Sequence, residues 1–198
     1  LSRDPGTFRA SRLCGPLPLM KPAAQPGRAG EKRRARYDPA FVASHEFSAW
    51  FGGSHAVDAN GLPLVLYHGT VRAFDRFDPR RVGARHLDWE LGTAFYFSQS
   101  PSSASAYAFS LWSSADGKTP ADGACVMPCF LRLKRPLIED CQGMPAFDWI
   151  PEMISRAKKK DHDGVIAIDV EDGVLDTQYI AFSPDQIRSI YALDPSRP

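Results

Sequence analysis

The chain has 198 residues, 43% of them hydrophobic, and a formal net charge of +1, enough apolar content and length for one domain with a full core. It contains no run of about 18 apolar residues, and the apolar stretch at 13–20 is interrupted by Gly15, Pro16 and Pro18. The sequence thus lacks the pattern of a spanning helix and of a signal-peptide core, and a cytoplasmic protein with no membrane partner is expected. Charge is unevenly divided: residues 1–36 hold nine Lys/Arg against Asp4 and Glu31, which leaves the rest of the chain at −6.

In chain order, residues 1–36 are rich in Pro, Gly and Ala, lack apolar periodicity and read as a disordered basic leader ahead of a domain at 37–198. The Glu31-Lys32-Arg33-Arg34-Ala35-Arg36 run leaves two readings open: a solvated tail, or a phosphate-binding patch that would bring the protein to nucleic acid. Residues 38–50 read as one amphipathic helix, with Asp38 as N-cap, Pro39 at the first helical position and Gly52-Gly53 as the stop. Phe41, Phe47, Trp50 and Phe51 would dock it on the core. Residues 64–67 and 94–97 are β-branched or aromatic and bounded by Gly and Pro, as strands are, and the alanine-rich 100–110 predicts a helix. Between them, 71–91 reads as a long loop carrying Arg72, Arg76, Arg80, Arg81 and Arg85, and loops of this length in compact domains are often functional.

Residues 113–123 predict a surface loop, 125–133 a strand and 148–160 a helix, whose closing Lys158-Lys159-Lys160 suits the negative end of the helix dipole. Asp163-Gly164 turns into a strand at 165–168, and two more strands are expected at 178–182 and 187–192. Helices near the front and no alternation of strand and helix argue for an α+β fold with antiparallel sheets.

Metal chemistry is not expected. Cys14 lies in the leader and Cys141 in a turn-like stretch, while Cys125 and Cys129 share a strand face roughly 13 Å apart, too far for one ion. The five histidines show no ligand spacing.

Three segments carry the chemistry. Tyr67-His68-Gly69-Thr70 ends the first strand, Tyr96 and Tyr107 stand eleven residues apart on the next strand and helix, and Gln178-Tyr179 opens a late strand. The order resembles the ADP-ribosyltransferases of the diphtheria-toxin and poly(ADP-ribose) polymerase type, whose pattern is His-Gly-Ser/Thr, Tyr, a second Tyr, then Glu. A more detailed likeness is to the transferase domain of phage and mobile-element polyvalent proteins, on Phe47, Trp50, Phe51, Gly52, Ser54, Val57, Gly61, Pro63 and 67–70. It continues through 126–131, Arg135-Pro136-Leu137, 163–166 and Gln186-Ile187-Arg188-Ser189.

The resemblance implies a split β-sandwich of two antiparallel sheets with flanking helices and NAD, as substrate, in the cleft. It places His68 on a ribose hydroxyl, the Gly69 main chain on the nicotinamide carboxamide, and Tyr96 and Tyr107 on either face of the nicotinamide ring. Tyr67, Thr70 and Phe97 border that pocket, and Gln178 orients the ribose. No Gly-x-Gly-x-x-Gly fingerprint occurs, so the pyrophosphate must be held otherwise, with an arginine of 71–91 as candidate.

Breaking the nicotinamide glycosidic bond develops positive charge on the ribose, which calls for a fixed leaving ring and a nearby negative group. Gln178 stands where the family has glutamate; it can hydrogen-bond a hydroxyl but carries no charge and cannot act as a general base. On this sequence alone, Gln178→Glu is expected to raise turnover. The resemblance implies a monomeric mono-ADP-ribosyltransferase that modifies a protein or nucleic acid and releases nicotinamide, encoded by a phage or mobile element or serving as a toxin. Two alternatives stay open: an NAD- or ADP-ribose-binding module without catalysis, and an NAD-using RNA 2′-phosphotransferase-like enzyme.

Overall fold

The computed structural model describes residues 37–81, 94–108 and 123–191. The basic leader, Arg85 and all but Gly123 of the loop expected at 113–123 lie outside them, as does the side chain of Arg81.

The expected front helix is two. Helix α1 (Pro39–Ala43) is capped by Asp38, whose carboxylate accepts from Ala40 N at 2.9 Å, and α2 (His45–Phe51) follows at once. Ser44 makes the break: its backbone is extended, and its hydroxyl accepts from Phe47 N at 3.1 Å as the N-cap of α2. A serine that can satisfy the next turn's orphan N–H competes with a continuous helix. Phe47 and Phe51 of α2 are buried with Phe130 and Ile190, and Gly52 ends the helix as expected.

Among the described residues seven strands form the sheet: β1 (Leu66–Thr70), β2 (Phe95–Ser98), β3 (Cys125–Leu131), β4 (Leu137–Asp140), β5 (Gly164–Glu171), β6 (Leu175–Ala181) and β7 (Ile187–Ser189). Their hydrogen-bonded order is β4-β5-β6-β2-β1-β3-β7. The strands join as one sheet where two were expected, and the join is narrow: β1 and β2 share the single registered pair Tyr67 and Ser98. On one side of it β2 pairs with β6 over four residues, and on the other β1 pairs with β3 over five. The sheet is also mixed. Strand β4 runs parallel to β5, joined by helix α4 (Ala146–Lys159), so one βαβ unit is present where no such alternation was expected. The short edge strand Leu137-Ile138-Glu139-Asp140 has only half-buried or exposed side chains, which leaves little apolar signal to read.

Helix α4 buries Ala146, Ile150, Met153, Ile154 and Ala157, the spacing of one helical face, against Val165, Ala167, Val170 and Ile180 of the sheet. The strand pleat sends Ile166, Tyr179, Phe95 and Phe97 to the opposite face, where they meet Leu66, Cys129 and Leu131. Helix α3 (Pro101–Ala108) lies against β1, and the approach is so close that a Cβ on Gly69 would stand 1.8 Å from the Ala104 carbonyl oxygen. Gly69 therefore has a packing reason to be glycine, whatever ligand passes it.

Candidate active site

Residues of both parities on β1 (Tyr67 and His68, Gly69 and Thr70) and on β2 (Phe95, Tyr96, Phe97) line one cleft of about 1640 Å³. Successive strand residues point to opposite faces, so a cavity touching both sets must open between the two strands. It can do so because they are joined at one pair only. The cleft also takes in Tyr107 from α3 and Gln178 from β6. The eight residues singled out from the sequence are thus brought to one cavity. Arg72, Arg76 and Arg80 of the long loop line it too, with Arg80 held by Asp78 at 3.1 Å.

His68 is held from two directions. Its Nδ1 lies 2.8 Å from the Tyr96 carbonyl oxygen. A carbonyl only accepts, so Nδ1 carries the proton and Nε2 keeps the lone pair. The ring packs against Phe77, Phe97 and Phe74, with centroids at 5.2, 5.4 and 6.1 Å. Burial lowers the His68 pKa below its ordinary value, outweighing the Tyr96 carbonyl, which raises it, so the imidazole is kept neutral. Phe74 and Phe77 belong to the segment of the loop arginines, and their Phe-x-x-Phe spacing is the sequence signal that marks them.

Tyr96 and Tyr107 differ in setting. Tyr96 packs against the core under α4, whereas the Tyr107 ring is 50% exposed and its hydroxyl donates to Asp172. Desolvation of the hydroxyl end, and then the charge of Asp172, push the Tyr107 pKa well above the usual phenol range, so it remains a donor. Ser103 lines the same cleft, and its hydroxyl is buried with no hydrogen-bond partner among the described residues. An orphaned donor in a cavity is the kind of group a polar ligand satisfies.

Gln178 is 8% exposed, paired across the sheet with Ser98 and Ala167. Its Nε2 donates to Asp172 Oδ2 at 2.7 Å, the same oxygen that accepts from Tyr107. Asp172 was not foreseen. A further acid, Asp176, also lines the cleft and accepts from the Ser98 hydroxyl. Asp185 lies elsewhere: it accepts from Arg132 at 2.6 Å, and its carbonyl takes the Trp50 indole N–H at 3.0 Å. The Phe47, Trp50 and Phe51 of the family likeness are accordingly scaffold residues.

An α+β domain with a cleft opening in the sheet, bordered by a neutral histidine and two tyrosines, is the class these elements define. Residues 58–150 match the family model described as ADP-ribosyltransferase in polyvalent proteins. The matched segment is of the ADP-ribosyltransferase type, and the likeness to the polyvalent-protein transferase domain is borne out over those residues. It includes His68 to Thr70, Tyr96 and Tyr107 and stops short of Gln178 and Asp172. No curated protein matches the chain.

Proposed function

We propose that the protein is a mono-ADP-ribosyltransferase that uses NAD as substrate and transfers ADP-ribose to a macromolecular acceptor. The observation that carries the reading is the convergence of His68, Gly69, Tyr96, Tyr107 and Gln178 on one cleft inside or beside a segment of the transferase type. The nicotinamide ring would lie between Tyr96 and Tyr107, with its carboxamide on the Gly69 main chain. His68 Nε2, the ring nitrogen left as acceptor, suits a ribose hydroxyl donor. The unpartnered Ser103 hydroxyl and the arginines of the loop supply polar groups for the rest of the dinucleotide.

In the reaction the bond between ribose C1′ and the nicotinamide nitrogen breaks, and its electron pair neutralises the pyridinium, so nicotinamide leaves uncharged. The acceptor nucleophile adds to C1′ and gives up its proton to solvent. Holding the leaving ring and the sugar in register lowers the barrier by up to roughly 7–11 kcal/mol in favourable cases. Gln178 contributes a hydrogen bond to the sugar, not a charge, and polymer formation is not expected of such a site. The role in keeping with the likeness is modification of host machinery by an element-borne enzyme.

The test is incubation with NAD labelled in the adenylate and with cell lysate, followed by digestion with protease or nuclease. Label in macromolecules together with released nicotinamide supports the reading. Tight NAD binding with neither release nor transfer favours a binding module instead.

A further inference from the structure

In a flat hairpin, Asp172 and Gln178 would be far apart. Asp172 N donates to Val174 O at the turn, which puts Asp172 opposite Val174, just ahead of β6 and four residues before Gln178. That is about 13 Å between Cα positions, more than an Asp and a Gln side chain comfortably span. Yet Gln178 Nε2 and Asp172 Oδ2 stand 2.7 Å apart. The pairing of β5 with β6 shifts register between Ala167 and Val170, where Asp169 adopts φ 50°. A bulge bends and twists the strand that carries it. This one lies between the row holding Gln178 and the hairpin tip, so it curls the tip back over the cleft.

The same oxygen of Asp172 accepts from the Tyr107 hydroxyl. One carboxylate therefore ties α3 to β6 across the cleft. Carboxylate oxygens only accept, so the Gln178 amide must turn its nitrogen to Asp172, which sends Oε1 the other way.

We propose that Asp172, the acid of this cleft bonded to Gln178, supplies negative charge beside that residue, doing from the hairpin tip what a glutamate at position 178 would do directly, and that it fixes the Gln178 carboxamide with its oxygen toward the sugar. The proposal rests on the transferase reading above. Asp172 is a positioning residue, acting through Gln178 and through its field, and the field favours positive charge developing on the ribose because the cleft is partly withdrawn from water. It also reverses the expectation for Gln178→Glu. In the parent background that change sets two carboxylates where one hydrogen bond now stands, so one of them must take a proton or move away.

The experiment compares nicotinamide release, with kcat and KM separated, for the parent, Asp172→Asn, Gln178→Glu and the Asp172→Asn/Gln178→Glu double variant. Asp172→Asn should lower kcat by about tenfold or more while KM for NAD changes by less than about threefold. The double variant, which relocates the charge to 178, should recover at least about tenfold over Asp172→Asn. Gln178→Glu alone should show a turnover that varies with pH between about 5 and 8, a dependence the double variant lacks. Recovery by the double variant also rules out misfolding as the cause of the loss. Parental turnover in Asp172→Asn, or a double variant no better than Asp172→Asn, overturns the proposal and leaves the transferase reading standing. A parent that releases no nicotinamide overturns both.

Discussion

The Nδ1 of His68 donates to the main-chain oxygen of Tyr96 across 2.8 Å, so the histidine of β1 is oriented by the strand that carries the first tyrosine. Ring position and tautomer are thereby set before any ligand arrives, and burial keeps the ring neutral. This has a consequence for stability. With its folded pKa below the ordinary 6.5, His68 binds fewer protons folded than unfolded in that range. Its contribution is full above about pH 6.5 and is lost as pH falls from there through the folded value. The melting temperature of the parent should therefore fall more steeply below about pH 6.5 than that of His68→Gln, which cannot titrate. Parallel profiles for the two would contradict the buried neutral ring.

Gly69→Ala should be destabilising although its backbone is unstrained. The added methyl would meet the Ala104 carbonyl oxygen at 1.8 Å and the Ala108 nitrogen at 3.1 Å, both main-chain atoms of α3. The helix must shift, at a cost of about 1–3 kcal/mol, and Tyr107 moves with it. Denaturant unfolding and NAD titration should show both losses together; a variant as stable as the parent would mean that α3 lies farther from β1.

The two tyrosines should separate binding from folding. Tyr96→Ala removes a ring packed on the α4 core and should lower both stability and NAD affinity. Tyr107→Ala removes a half-exposed ring, so it should weaken NAD binding by about 1–2 kcal/mol while costing less stability than Tyr96→Ala. Calorimetric titration with parallel melting curves reads both quantities, and unchanged affinity in the two variants would remove the stacking assignment.

Gln186 has a wholly structural part. Buried in the turn ahead of β7, it accepts from Phe182 N and Ser183 N at 3.0 and 2.8 Å and donates to the carbonyls of Arg132 and Asp163 at 3.2 and 2.7 Å. Gln186→Leu, of similar volume, leaves main-chain groups without partners and should cost about 3 kcal/mol or more. NAD affinity of the folded variant should be unaffected, since the residue does not line the cleft; a specific loss of affinity at full stability would contradict this.

The parts of the site readable from sequence were those on regular strands and on the helix between them. His68, Tyr96 and Tyr107 announce themselves by order and spacing, and their elements begin within two residues of where patterning put them, although β1 runs three residues past its expected end at Tyr67. What escaped depends on irregular backbone. Asp172 meets Gln178 beyond a bulge at Asp169, a local register shift without a sequence signature, whereas the other acids near Gln178 in sequence bond elsewhere, Asp176 to Ser98 and Asp185 to Arg132. The parallel strand β4 escaped because an edge strand such as Ile138-Glu139-Asp140 has no buried face to pattern. Ser44 divided a helix that apolar spacing alone made continuous, because its hydroxyl competes for the backbone.

The most direct test of the account is where the nicotinamide sits. Nuclear Overhauser transfer between the nicotinamide ring protons of bound NAD and selectively labelled tyrosine rings reads this without reference to turnover. Transfer to both Tyr96 and Tyr107 is expected, with the Tyr107 signal absent in Tyr107→Ala. NAD bound with no transfer to either ring would contradict the placement of the substrate in this cleft, and with it the roles given to His68, Gly69, Gln178 and Asp172.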